Sequence, residues 1–512
     1  MSKIAGNRFT TPSVPFADTK FNGGLNSTAS PLNLQDNESP DLCNIDFDRF
    51  GSILKRNGYA CLNTDAGTSI GGDGLYWFEY DNAGTQTRYA VRVYNGKLEK
   101  MDDLDGIWDD VTGGATITSA NFCDFESFSN TLYAANGANV PFKWAGSGTA
   151  NLADVPSGLT SAKFVKTFQN YLFYGNVVVS AVAYPTRIYW SDLRDPTTWD
   201  SANWIEVSKN DGQPITGLFV LANAAVIFKS RSIYNVFFTG DSTIPFNMQK
   251  SNSAVGCSVF TSIQAVDNGL VFFSNDGFYF YDGNTSTKIS DKISATIDGF
   301  NSTNFTKIRS LAYRKKNMIQ WTFTTSGETK NNRTVVWDYY NNAWSIYKGM
   351  SPSAMATFMV DGVSERPYFQ DYNGFVYRAD TGSNDAPLNT SNAIDAYYYT
   401  NWRSYQDAVN QKGVPHTYIY YKTSASTLTF SYSYDFIGGD TYSNTFSLAG
   451  GGGVWGTDTW NNFVWGGATG KIKRIDLAGR GRVIRYKFAN NVLSETFRID
   501  AFGQSAYLET NA

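Results

Sequence analysis

The chain has 512 residues, 42 Lys and Arg against 46 Asp and Glu, a net charge of −4 and a pI near 5.3. That length exceeds what one hydrophobic core usually supports, so two or three domains are expected and a mini-protein dependent on staples is excluded. With 17% charged and 16% aromatic residues, the composition favours half-buried strands over disorder, and the acidic balance gives no overall grip on phosphate backbones.

The opening MSKIAGNRFTTPSVPF lacks the apolar centre of a signal peptide, and no run of about 18 apolar residues occurs to span a bilayer, so a soluble protein made in a reducing cytoplasm is expected. Residues 1–65 are rich in Pro, Gly, Asn and Ser with isolated apolar anchors, which reads as an extended arm. The arm ends in IDFDRFGSILKRNGY, where Ile45 and Phe47 alternate on one strand, Asp48 to Gly51 turn, and Ile53 continues a returning strand.

From residue 66 to 382 one unit recurs: an aromatic strand, an Asn/Asp/Gly turn, a second strand and another Gly-containing turn. Asn136-Gly137, Asp276-Gly277 and Asn373-Gly374 supply the positive φ that type I′ hairpins demand. The landmarks Asn130, Asn170, Asn223, Asn268, Asn317 and Arg366 advance by roughly 40 to 53 residues, the spacing of four-stranded propeller blades. With a further unit at Leu75, a β-propeller of about six to eight blades is expected; Gly and Asn interrupt nearly every window in which a helical period could develop. After the linker TGSNDAPLNTSN, residues 394–512 resume strand patterning and read as a β-sandwich-like domain, with a flexible loop at Gly453. The fold class is therefore all-β.

No catalytic apparatus assembles from the residue types. His416 is the only histidine and enters a strand with no nucleophile motif nearby. Cys43, Cys61, Cys123 and Cys257 have no metal-ligand spacing and read as free thiols. The run GGATGKIK at Gly466 fails as a phosphate loop because Trp465 stands at its first glycine position and Ile472 at its final hydroxyl. MDDLDG at Met101 lacks calcium-loop spacing and reads as a turn. SNDGFYFYDG at Ser274 departs from a sialidase box at Phe278 and Tyr281. Lys471, Lys473, Arg474, Arg480, Arg482, Arg485 and Lys487 form the one basic cluster, either a patch for DNA or an acidic partner or a charged edge that blocks strand pairing. Trp321, Trp337, Trp344, Trp455, Trp460 and Trp465 read mainly as packing core, with sugar platforms as the alternative. No cofactor or metal is expected.

The run from Phe21 to Tyr59 resembles the opening of tail proteins of short-tailed bacteriophages. The resemblance lies in Gly23, Gly24, Leu25 and Asn26, in Ser30-Pro31 with Glu38-Ser39-Pro40 following, and in the hairpin positions Asn44, Phe47, Gly51, Ser52, Lys55, Arg56, Gly58 and Tyr59. RIYWSDLRDPTTWD at Arg187 looks like a segment of the same group. The resemblance covers about the first 60 residues and the rest only in architecture. It implies a non-enzymatic virion tail hub or nozzle, a homo-hexameric ring below the head-to-tail adaptor that carries fibres, spikes or a needle and passes genomic DNA without binding it specifically. Phe21, Leu25, Leu32, Leu34, Phe47, Arg56 and Tyr59 are then the expected contacts to the adaptor or a neighbouring protomer. A carbohydrate-binding or carbohydrate-degrading propeller is the alternative, and a trimeric receptor-binding spike a third reading.

Overall fold

The computed structural model describes residues 14–62, 69–449 and 470–508. The chain forms two compact units: one comprises Ala60–Thr334 and Met350–Ala379, the other the residues up to Tyr59, Val335–Gly349 and Asp380 onward.

The first unit is a β-propeller. Its first five blades are four-stranded antiparallel sheets in simple sequential order, the first running through Gly74–Asn82, Thr85–Tyr94, Lys97–Asp102 and Asp109–Asp110. The sixth is represented in this unit by Arg309–Tyr313 and Met318–Phe323, and the seventh by Ala354–Met359, Glu365–Gln370 and Val376–Ala379. The first strand of the seventh blade lies against the first strand of the first, closing the circle. The chain entering the propeller also runs beside the last strand, where the Leu62 amide donates to the Val376 carbonyl at 2.8 Å. Outermost strands such as Asp109–Asp110 and Asn151–Leu152 are short and exposed, which leaves little free edge for foreign strands.

The core lies between blades. Phe78, Val91 and Val93 of the first blade meet Phe125, Leu132 and Trp144 of the second, and equivalent apolar layers separate the second from the third, the third from the fourth and the fourth from the fifth. Such two-faced burial explains strands with every residue inside, for example Gly269–Ser274 (GLVFFS). Trp321 is 0% exposed, with its ring 4.3 Å from that of Phe278 and its Nε1 donating to the Ser262 carbonyl at 2.8 Å.

The recurring Asn landmarks mark one structural point. Asn130, Asn170 and Asn317 have positive φ in the turn between first and second strands of their blades, and Asn223 and Asn268 stand in the equivalent turns. Two sequence assignments shift. Arg366 falls inside a second strand and Leu75 inside a first. None of the three expected turn pairs forms a type I′ hairpin: Ser274 pairs with Gly277, so Asn275 and Asp276 are the turn residues, while the other two lie in longer loops. Asn95-Gly96, enclosed by the pair Tyr94 and Lys97 and with φ of 51° and 75°, is a hairpin of that kind.

The second unit is a β-sandwich. Its larger sheet orders Gly470–Asp476, His416–Lys422, Arg498–Leu508, Ile53–Lys55 and Ile45–Phe47, with Val14–Asp18 and Lys412–Gly413 also pairing along Arg498–Leu508. Its smaller sheet orders Leu42–Cys43, Ala396–Tyr399, Ile484–Asn490, Thr427–Tyr434 and Tyr442–Ser447. Phe21 is fully buried between them, stacked on Phe502 of the larger sheet at 5.8 Å and edge-on to Tyr398 of the smaller at 5.5 Å.

A separate arm over 1–65 is thereby corrected. The run is extended, but from Val14 to Tyr59 it is part of the sandwich, because its short strands complete both sheets and its anchors fill the space between them. The expected propeller boundaries of 66–382 change as well, since Val335–Gly349 belongs to the sandwich unit, where Ser345 Oγ donates to the Ile45 carbonyl at 2.6 Å. Among the described residues no helix is long and apolar enough to cross a membrane.

Candidate functional site

The sequence points first to the tail-like run, and the structure gives nearly every motif position there a packing role. Gly24 has φ of +72°, and a Cβ at that position would stand 2.5 Å from the Trp344 amide nitrogen, so only glycine lets the two backbones touch. Asn26 donates to Glu38 Oε2 at 3.0 Å and accepts from the Ala29 amide at 3.0 Å, fixing the turn that follows. A Cβ at Gly58 would lie 1.7 Å from the Asn384 carbonyl oxygen.

Arg56 is the centre of this region. Its side chain is 3% exposed and uses all five of its N–H donors. Nη1 and Nη2 grip Asp385 bidentately at 2.8 and 2.7 Å, Nε donates to Asn44 Oδ1 at 2.8 Å, and the carbonyls of Asn57 and Lys348 take the rest at 2.9 and 2.7 Å. Asn44, held at φ of 56°, also accepts the Lys348 amide and donates to the Asp395 carbonyl. Asp46 accepts the Tyr347 hydroxyl. Lys55 donates to Asn490 Oδ1 at 2.7 Å, and burial pulls its pKa down to about 8. A second buried pair, Asp18 with Arg403 at 2.6 Å, ties the first described strand to the loop after Ala396–Tyr399, with the guanidinium between the rings of Phe16 and Phe502. Arg56 thus has every donor answered, whereas Nε of Arg403 has no hydrogen-bond partner among the described residues, and together the two arginines form a polar scaffold that joins distant stretches of the unit.

Of the seven positions expected to contact a partner, Phe21, Leu25, Leu34, Phe47, Arg56 and Tyr59 are buried within the chain's own sandwich, and Leu32, at 49% exposure, is open to solvent. An interface through the six would first require the run to leave that core. The physical reason is that isolated apolar anchors on an extended run gain the same transfer free energy from their own domain as from a neighbour, with no association entropy to overcome.

The basic residues do not form one patch. Lys471, Lys473 and Arg474 stand on the edge strand of the larger sheet, Arg485 and Lys487 on a central strand of the smaller, and Arg480 and Arg482 between them. Most are engaged: Arg474 with Asp476, Lys487 with Asp440, Arg485 over Tyr399 and Trp402, and Arg482 with the Val409 carbonyl. Charge on a sheet edge discourages foreign strand pairing. His416 packs edge-on against Tyr418. Cys43, Cys123 and Cys257 are buried and Cys61 half-buried, without disulfides. Trp337 and Trp344 are buried, whereas Gly453, Trp455, Trp460, Trp465 and Gly466 lie outside the described residues. Among the described residues no three His, Cys, Asp or Glu side chains gather to hold a metal.

Sequence reasoning missed a cavity of about 580 Å³ inside the propeller, walled by strands of the first, second, fifth, sixth and seventh blades. One part of its wall is hydroxyl and amide: Tyr76 Oη faces Ser127 Oγ at 3.2 Å, and Gln264 Nε2 donates to Ser310 Oγ at 2.9 Å. Another part is apolar, with Trp77, Leu311, Met355 and Ala356. Its charges are paired. Glu79 accepts from Trp77 Nε1 at 2.9 Å and from Arg88 at 3.2 Å, and Glu365 accepts the Lys315 amide at 3.0 Å and faces Arg314 at 3.9 Å. Behind this wall Lys166 bonds Asp124 at 2.5 Å and lies 3.8 Å from Glu126, whose carboxyl burial pushes up to about 7 against the pull of that lysine. The cavity residues come from strands that also carry core residues, as Tyr76 and Trp77 stand beside Phe78, so in sequence they are indistinguishable from ordinary strand patterning.

No protein-family model matches the sequence, and no curated protein matches it. Among solved structures, a computationally designed protein, Ika8, is similar over 62% of this chain and 99% of its own, at 11% identity and a TM-score of 0.37. A chain of the mitotic checkpoint complex covers 74% of this chain and 99% of its own at 9% identity and 0.36, and BamB from Moraxella catarrhalis covers 66% and 96% at 13% identity and 0.35. Likenesses at this level carry no functional argument.

Proposed function

We propose that this chain is a structural virion protein of a short-tailed phage, a tail hub or nozzle subunit that assembles as a homo-hexameric ring below the head-to-tail adaptor, retains packaged DNA and conducts it during ejection. The observation that carries the reading is the run from Phe21 to Tyr59. The positions by which it resembles tail proteins, from Gly23 through Asn44 and Arg56 to Tyr59, are those that build the buried scaffold of the sandwich. A resemblance confined to exposed residues would say little about the fold; one concentrated on close backbone approaches and a five-donor arginine points to a shared way of building the domain.

Electrostatics agree with a conduit. Each phosphate neutralised by a protein cation adds affinity that would resist sliding. Here the net charge is −4, and Arg474, Lys487 and Arg485 are occupied by carboxylates or aromatic rings. The positions of the run left exposed for adaptor, fibre or neighbouring subunits include Leu32 and Phe50, at 49% and 81% exposure. Electron microscopy of assembled protein and of purified virions tests the proposal: a sixfold ring with a central channel is expected, and a persistently monomeric protein in the virion overturns it.

A further inference from the structure

The ring reading assigns no task to the cavity inside the propeller. We infer that this cavity is a binding site for a short neutral oligosaccharide, held by its hydroxyl and amide groups and by its apolar lining.

Three features of the wall lead there, and none depends on the ring. The first is charge. Glu79 is answered by Arg88 and Glu365 by Arg314, so the two acids and two bases cancel and an ionic ligand finds no unmatched opposite charge. Because such a ligand would lose its hydration without gaining a counter-charge, an uncharged one is favoured.

The second is the kind of polar group present. Tyr76 and Ser127 share a hydrogen bond in which either oxygen can be the donor. Gln264 spends one amide hydrogen on Ser310, which itself donates to the Thr261 carbonyl at 2.6 Å. Hydroxyls both donate and accept, and a primary amide offers an NH2 donor beside a carbonyl acceptor, which matches sugar hydroxyls that do both.

The third is the apolar lining. Trp77 is stacked on Phe358 at 5.0 Å and its Nε1 is held by Glu79, so its ring is fixed, and Met355 and Ala356 extend the apolar area beside it. A pyranose has C–H faces that pack on such a surface and hydroxyl edges that meet hydroxyl and amide groups. The volume of about 580 Å³ falls within the usual size of small-molecule sites. The strands around it are locked into a closed circle of blades, so little ordering is needed on binding.

The test uses the full chain and three neutral probes, maltotriose, cellotriose and chitotriose, with tri-galacturonate as the acidic counterpart, followed by calorimetry and saturation-transfer NMR. At least one neutral probe is expected to bind. Gln264→Ala should weaken it roughly five- to tenfold, and Ala356→Trp, which fills the cavity, should abolish it. Should Ala356→Trp fail to fold, Met359→Trp at the half-exposed rim serves in its place. Lys473→Ala, on the sandwich, should leave binding unchanged. The inference is overturned if no neutral probe binds at millimolar concentration, if only tri-galacturonate binds, or if binding survives both cavity substitutions. A failure here leaves the sixfold ring standing, and a missing ring leaves this site standing.

Discussion

The propeller and the sandwich reach stability by different routes. The propeller is local: each blade folds back on itself through short turns, most of its apolar layers lie between sequence neighbours, and the seam between the first and seventh blades, where Leu62 returns to Val376 and Trp77 stacks on Phe358, joins the two ends of the unit. The sandwich is assembled from three distant stretches, and buried ion pairs and amides join them, Arg56 with Asp385, Arg403 with Asp18, and Lys55 with Asn490. Repetition carries the first unit; a few irreplaceable polar contacts carry the second. Damage should therefore spread through many residues in one unit and concentrate in a handful in the other.

The largest expected effect is at Arg56. Replacing it by Met leaves the Asp385 carboxylate buried without its partner, which costs about 3–5 kcal/mol. Urea unfolding followed by hydrogen exchange should show protection lost in the sandwich while blade strands such as Gly269–Ser274 keep theirs; equal loss in both units would break the comparison. Adding Asp385→Asn to Arg56→Met should restore part of the loss, because the unpaired charge is gone.

Gly58→Ala comes next. The added Cβ would meet the Asn384 carbonyl at 1.7 Å, and the backbone must shift at a cost of about 2–3 kcal/mol by chemical denaturation. The matching change in the propeller, Gly84→Ala, meets nothing within 4 Å and strains only a φ of +89°, so about 1 kcal/mol is expected. Equal penalties at the two glycines would contradict the distinction.

The pH response should differ as well. In the propeller, burial raises Glu126 from 4.5 to about 7 and Asp73 from 3.8 to about 6. The folded unit thus holds protons that the unfolded chain has released, so this contribution is complete below about pH 4 and is lost as pH rises through 6 and 7. The propeller's stability in urea should fall between pH 5 and 8, and Glu126→Gln should flatten that slope by about 1 kcal/mol per pH unit. A stability that climbs over this range, or a slope the substitution does not alter, would remove Glu126 from the account. The smallest effect is expected at Lys473→Ser on the sandwich edge, within about 0.5 kcal/mol by the same assay.

Legibility in the sequence followed the same division. Blades were readable because each repeats the same aromatic strand and Asn-containing turn, so Asn130, Asn170 and Asn317 mark one structural point. The sandwich was readable only in its later strands. Nothing in Leu42-Cys43 or Ile45–Phe47 reveals which distant strands they pair with, and the carboxylate that answers Arg56 lies 329 residues away. Burial of Phe21 and Tyr59 was equally hidden, since an apolar residue on an extended run looks the same whether it docks on its own domain or on another. The propeller cavity is not legible in sequence because its wall residues share strands with core residues and come from blades far apart in the chain.

The account turns on the tail-like run being a working part of the sandwich. Hydrogen exchange of the intact protein tests this most directly, by comparing amides of Ile45–Phe47 and Ile53–Lys55 with those of Ile484–Asn490. Protection of all three segments at the same level, lost together in Arg56→Met, is the predicted result. Free exchange across residues 45–55 while Ile484–Asn490 stays protected would contradict it and return the run to the role of a detachable arm.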